Sequence, residues 1–297
     1  MAVSKTYSWL RRFRMHDLPT APGDALAGAA FMMPAGDAAL PQAFAAGVGA
    51  LFMHMARRTC NGAVCAVCVM AAIWLPSLMT GGGMPFAWNV AMCVLLGCAM
   101  AHNNLKKAWL AGACRGMGVV CGGLAVWRPG GNPYTGMPLP ADCFLLASLA
   151  LLAFGWCAYS AAAAKLSDAG ECPCEGLGYR RFLSGLSAFL PLAAFAAAAF
   201  APGVEYESWL VVVLPAAGCC CAFVAWCIAV GPLWLPHGRE ERRRAGESAV
   251  FALLYIQIGF MLMVVRPAFL AAAAGLWGAA RVVQRLASKA KEDANGS

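Results

Sequence analysis

Apolar runs of about twenty residues, each closed by a short polar or charged stretch, recur along almost the whole chain. A hydrocarbon layer about 30 Å thick needs roughly 20 such residues per helix, because the backbone must satisfy its own hydrogen bonds where water is absent. The pattern predicts spans near 20–36, 40–57, 62–79, 85–103, 108–127, 139–163, 182–201, 207–231 and 248–265. A weaker apolar stretch at 267–280 makes a tenth if it crosses. The predicted fold class is all-α, a polytopic membrane bundle of nine or ten transmembrane helices. Residues 1–15 mix Trp9, Leu10 and Phe13 with cations and lack a continuous apolar core, which fits an interfacial helix rather than a cleavable signal. One helical domain over 16–284 follows, then a polar tail over 285–297.

Composition sharpens this reading. Of the 297 residues, 61% are hydrophobic and 12% charged, whereas a water-soluble globule carries roughly 25% charged residues. Disorder, a phosphate-gripping nucleic-acid domain and a small disulfide-stapled module are all excluded. The net charge of +8 comes from basic residues placed between apolar stretches. Lys5, Arg11, Arg12 and Arg14 precede the first span, and Arg57 and Arg58 close the second. Lys106 and Lys107 follow the fourth, Lys165, Arg180 and Arg181 flank the loop after the sixth, and Arg239 and Arg242 to Arg244 follow the eighth. The alternate loops carry Asp37, the uncharged Thr80–Met84 turn, Arg128 with Asp142, and Glu205 with Glu207. Lysines and arginines beside spans stay in the cytoplasm. The expectation is an inner-membrane, multi-pass protein with a cytoplasmic N-terminus, and the tail cations favour a tenth crossing.

Few of the reactive residue types form motifs. Most of the 15 cysteines fall inside spans, where small side chains let helices approach. Cys172 and Cys174 lie in a loop, but no second pair with zinc spacing accompanies them. His16, His54, His102 and His237 each fall near a cytoplasmic span end, and His54 and His102 share one mouth if their helices pack together. Neither a phosphate-binding glycine loop nor a serine nucleophile elbow is present. A transporter would need paired intramembrane charges across inverted repeats, and neither is evident.

Three stretches carry a family resemblance. The run from Leu18 to Gly28 (LPTAPGDALAG) resembles the opening of UbiA-type prenyltransferases, and more narrowly of their EboC-like branch. His102-Asn-Asn-Leu-Lys-Lys107, followed by Cys114-Arg115 and Gly122-Gly123, is similar to that family's passage from helix 4 to helix 5. Tyr159 to Glu171, followed by Arg180-Arg181-Phe182, sits where the family has its second cytoplasmic loop. The resemblance implies a helical bundle around a lipid-open cavity whose cytoplasmic end takes a prenyl diphosphate through Mg2+. A polyprenyl group would then pass to a lipid-soluble acceptor. The sequence departs from the family pattern at its first acidic motif: no Asp or Glu lies between Asp37 and Asp142, and only Asn61 stands after Arg57-Arg58-Thr-Cys. A degenerate member that binds an isoprenoid or acts as a membrane scaffold is the alternative.

Candidate residues follow from both lines. Arg115 lies about seven residues inside the fifth span, where a charge faces an interior or wet cavity. Lys107 lies eight residues earlier and shares its face approximately. The candidate diphosphate set is Asn61, Asn104, Lys107, Arg115, Tyr159 and Lys165, and the candidate metal ligands are Asp168 and Glu171. Alternatives stand beside these assignments. Arg115 also fits snorkelling or internal pairing, Asn103 and Asn104 fit helix capping, and Tyr159 fits the interfacial aromatic belt. Asp24 fits either the first turn of its helix or a pair with Arg58, Lys107 or Arg115.

Overall fold

The computed structural model describes residues 20–32, 39–59, 62–81, 83–127, 140–168, 176–193, 210–235, 239–263 and 267–295. Every delimited element among them is helical: α1 Thr20–Met32, α2 Leu40–Arg58, α3 Gly62–Thr80, α4 Phe86–Leu105, α5 Ala108–Val126, α6 Pro140–Asp168, α7 Leu177–Leu186, α8 Leu210–Trp234, α9 Arg239–Met263 and α10 Pro267–Asn295. Among the described residues, five stretches are long and apolar enough to cross a membrane: α3, α4, α5, Leu145–Leu166 within α6 and Pro215–Trp234 within α8. Shorter apolar stretches occupy Phe251–Met263 of α9 and Pro267–Val282 of α10. The outward faces of the long helices carry Val67, Met70, Trp74, Leu78, Phe86, Phe223 and Ile228. Such a surface is unfavourable in water and matched to lipid tails. The chain is an integral membrane protein.

Helix α1 is the central element, with α2, α5 and α9 packed against it. Its burial rests on small residues. Ala25, Ala27 and Ala29 are fully enclosed, and a Cβ on Gly122 of α5 would collide with the Ala25 carbonyl. Reciprocally, a Cβ on Gly28 would strike the Val119 carbonyl of α5. In lipid, where apolar burial drives helices together only weakly, this close backbone approach supplies dispersion contact that larger side chains would prevent. Larger groups fill the remaining core: Trp156 and Phe260 meet with ring centroids 5.9 Å apart, and Trp88 is fully buried.

Three boundaries differ from the sequence reading. The seventh predicted span, 182–201, is interrupted: α7 begins at Leu177 and ends at Leu186, and a turn follows at Ser187 and Ala188. Pro191 accounts for the break, since it has no N–H for a bond to Ser187 and its ring would crowd that carbonyl. The Ser187 hydroxyl instead donates to Ser184 O at 2.6 Å and accepts from Trp226 Nε1 at 2.9 Å. Arg181 donates through Nε and Nη2 to Trp234 O, satisfying a carbonyl at the end of α8. Residues 194–201 of that span lie outside the described residues. Helix α9 starts at Arg239, nine residues before its predicted span, because the charged segment has good helix formers. Helix α10 runs on to Asn295 through the stretch read as a polar tail.

Candidate functional site

Asp24 lies one turn into α1 and only 2% of its surface is exposed. A carboxylate at such depth costs about 3 kcal/mol on insertion scales unless it is compensated. Three other helices compensate it here. Arg115 of α5 pairs through Nε with Oδ2 at 3.1 Å. Trp156 of α6 donates from Nε1 to Oδ1 at 2.8 Å, and Gln257 of α9 donates from Nε2 to the same oxygen at 2.7 Å. Gln257 also reaches Thr20 O at 2.8 Å. Local sequence makes this convergence possible: Gly118 stands against Asp24, where an added Cβ would come within 3.2 Å of the Asp24 Cβ. The network ties α1, α5, α6 and α9 together through one side chain.

Beside this hub is a cavity of about 30 Å³ lined by Asp24, His54, Arg57, Leu95, Cys114 and Arg115, with Ala21, Ala50, Met53, Ala99 and Gly118 completing the wall. It has room for about two waters. The lining comes from the start of α1, the end of α2, the end of α4 and the start of α5, which lie at one end of the bundle. Arg57 is 9% exposed, and its Nε and Nη1 are buried without a hydrogen-bond partner. An unsatisfied buried guanidinium is costly in any low-dielectric setting. Among the described lining residues two guanidinium groups face one carboxylate, a net charge of +1 with His54 neutral.

The candidate residues divide sharply. Arg115 lines the cavity and is held by Asp24, one of the three pairings open at the level of sequence. Lys107 is exposed at the N-cap of α5 and does not line the cavity, as its backbone leads into α5 while its side chain faces outward. Asn104 is exposed in the last turn of α4. Neither Asn103 nor Asn104 caps that helix, because the C-cap is Lys106, left-handed at φ 48° with its N–H on His102 O. Tyr159 is fully buried rather than part of an aromatic belt, and its hydroxyl donates to Ala249 O of α9 at 2.7 Å. Lys165 packs its aliphatic stem against the left-handed Gly176 that opens α7. Asp168 ends α6, but its side chain lies outside the described residues, as do Asn61, Glu171, Cys172 and Cys174. His102 contacts Lys107 O at 3.3 Å and does not join His54 at the cavity.

Magnesium needs several oxygen ligands in octahedral array. Both oxygens of Asp24 are engaged by donors, and two arginines repel a divalent cation from this end of the cavity. The lining therefore does not fit Mg2+. Among the described residues no group of three or more His, Cys, Asp or Glu has the geometry to hold a metal ion.

Sequence reasoning missed Trp156 and Gln257 as partners of Asp24, and treated Arg57 only as a marker of sidedness. Gln257 left a signal: it is the one amide in the apolar run from Phe251 to Met263, and polar groups at such depth hydrogen-bond across helices. Trp156 left none among the chain's 10 tryptophans. The fold and the cavity define an all-helical integral membrane protein with a cationic pocket at one end of its bundle. No family model matches the chain, and no curated protein or solved structure is significantly similar to it.

Proposed function

We propose that this is a UbiA-like protein of nine or ten spans with its N-terminus and its cavity on the cytoplasmic side of an inner membrane, and that it takes the diphosphate end of a prenyl diphosphate. The observation that carries the reading is the cavity wall of Arg57, His54 and Arg115, which lie one, four and seven residues in from the ends of their helices. A guanidinium presents planar donors matched to phosphate oxygens, and the apolar flanks of the bundle would accommodate a prenyl chain. Transfer of that chain to a lipid-soluble acceptor is the activity implied by the resemblance. Binding or presentation of the isoprenoid without transfer is the second reading. It is favoured by the three donors already held by Asp24, the one carboxylate among the described lining residues, because ionisation of an allylic diphosphate needs its leaving group neutralised.

The deciding experiment uses purified protein in lipid with a labelled allylic prenyl diphosphate, Mg2+ and a mixture of acceptors. Release of diphosphate supports the transferase. It should then be lost in the Asp168→Asn, Glu171→Gln variant if the second loop supplies the metal. Saturable binding without release supports the isoprenoid-binding reading, and absence of both refutes the proposal.

A further inference from the structure

We propose that Arg57, His54 and Arg115 form a metal-independent clamp for a phosphate or diphosphate oxyanion, with Arg57 as its principal donor. The inference deepens the reading above and rests on it for the location of the site, but departs from its expected dependence on Mg2+. Three observations converge. Arg57 is nine-tenths buried and lines the cavity, yet Nε and Nη1 have no acceptor. Arg115 is tethered to Asp24 through Nε, the inner guanidinium nitrogen, so its orientation is set in advance while its charge still borders the cavity. The one carboxylate among the described lining residues already holds three donors, two on Oδ1 and one on Oδ2, and none of them comes from Arg57.

A neutral ligand would leave the Arg57 charge uncompensated, and a cation would be repelled. A carboxylate ligand offers two oxygens in one plane, whereas phosphate presents three and can engage two guanidinium groups and an imidazole together. The cavity volume of about 30 Å³ limits what enters to a compact head group and leaves any tail outside. No bond is made or broken in this step.

The test is calorimetric titration of inorganic diphosphate into the full chain in phosphatidylcholine nanodiscs, once with EDTA and once with Mg2+. The clamp requires saturable binding in EDTA that Mg2+ does not tighten. Arg57→Gln should weaken it about 30-fold, the scale for losing one buried partner of a charge pair, and Arg57→Lys should fall between the two. Equal tryptophan fluorescence and elution volume for Arg57→Lys and the parent exclude misfolding as the cause. Binding that requires Mg2+, or that is unchanged in Arg57→Gln, overturns the clamp. Doping the nanodiscs with phosphatidic acid separates two sources of the same chemistry: competition identifies a lipid head group, and its absence a soluble or prenyl-borne phosphate, and both support the clamp. Failure of the prenyl reading is seen separately. If a prenyl diphosphate binds no more tightly than inorganic diphosphate, the isoprenoid assignment falls while the clamp stands.

Discussion

Replacing Asp24 by Asn keeps a side-chain oxygen that can accept from Trp156 and Gln257 but turns the oxygen facing Arg115 into an amide donor. The ion pair is thereby deleted with little change of volume. At the observed separation of 3.1 Å and an effective dielectric of about 20, the Coulomb term is about 5 kcal/mol, before any loss from desolvation. Orphaning one member of a buried pair typically costs about 3–5 kcal/mol. Asp24→Asn should therefore cost about 3 kcal/mol, since two hydrogen bonds survive. Arg115→Met should cost less, about 2 kcal/mol, because Trp156 and Gln257 still stabilise the carboxylate. The double variant leaves no uncompensated charge at either position and should cost only about 2–3 kcal/mol, a coupling of about 2–3 kcal/mol. Reversible unfolding by SDS in mixed lipid micelles, followed by tryptophan fluorescence, measures all four corners of the cycle. Coupling below about 0.5 kcal/mol, the additivity expected of independent sites, would refute Asp24–Arg115 as the bond that holds α1 to α5.

Other expectations use the same unfolding assay or a simple topology readout. Gly122→Val should destabilise by about 3 kcal/mol or more, because its Cβ meets the Ala25 backbone, whereas Gly97→Ala, with open space around it, should be neutral or stabilising by up to about 1 kcal/mol. Similar costs for the two would contradict the close α1–α5 approach. Tyr159→Phe should lose about 1 kcal/mol, the worth of the hydrogen bond to Ala249 O in a membrane interior, and a loss above about 3 kcal/mol would mean the hydroxyl does more than join α6 to α9. Reporters inserted near residue 60 and near residue 82 flank α3 and should report opposite sides, with residue 60 cytoplasmic. The same side for both would remove α3 from the spans, and the reverse pattern would overturn the proposed orientation.

The helical pattern was readable because lipid enforces a single rule on every segment: backbone groups must pair internally, so each apolar run of sufficient length is a helix. Helices α2 to α6 start and stop within a few residues of the predicted spans 40–57, 62–79, 85–103, 108–127 and 139–163. The rule failed where apolarity and backbone chemistry disagree. Pro191 and the Ser187 turn break the seventh predicted span although its composition stays apolar, and the charged start of α9 is helical although no span threshold sees it.

The residues themselves determined that this chain lies in a membrane as a bundle of helices, that Arg115 sits where a charge must face an interior, and that Asp24 had a cationic partner within reach. Charge and hydropathy are additive along a chain and need no knowledge of neighbours. Only the tertiary structure decided between Arg58, Lys107 and Arg115 as that partner, brought Trp156 and Gln257 to the same carboxylate from 132 and 233 residues away, and turned Arg57 from a marker of sidedness into a buried, unsatisfied donor. Lys107 and Arg115, near neighbours in sequence, were separated by the same packing. Which side chains converge depends on helix rotation and neighbour choice. Those are set by contacts such as Gly28 against Val119 and Gly122 against Ala25, whose steric complementarity exists only when both helices are present.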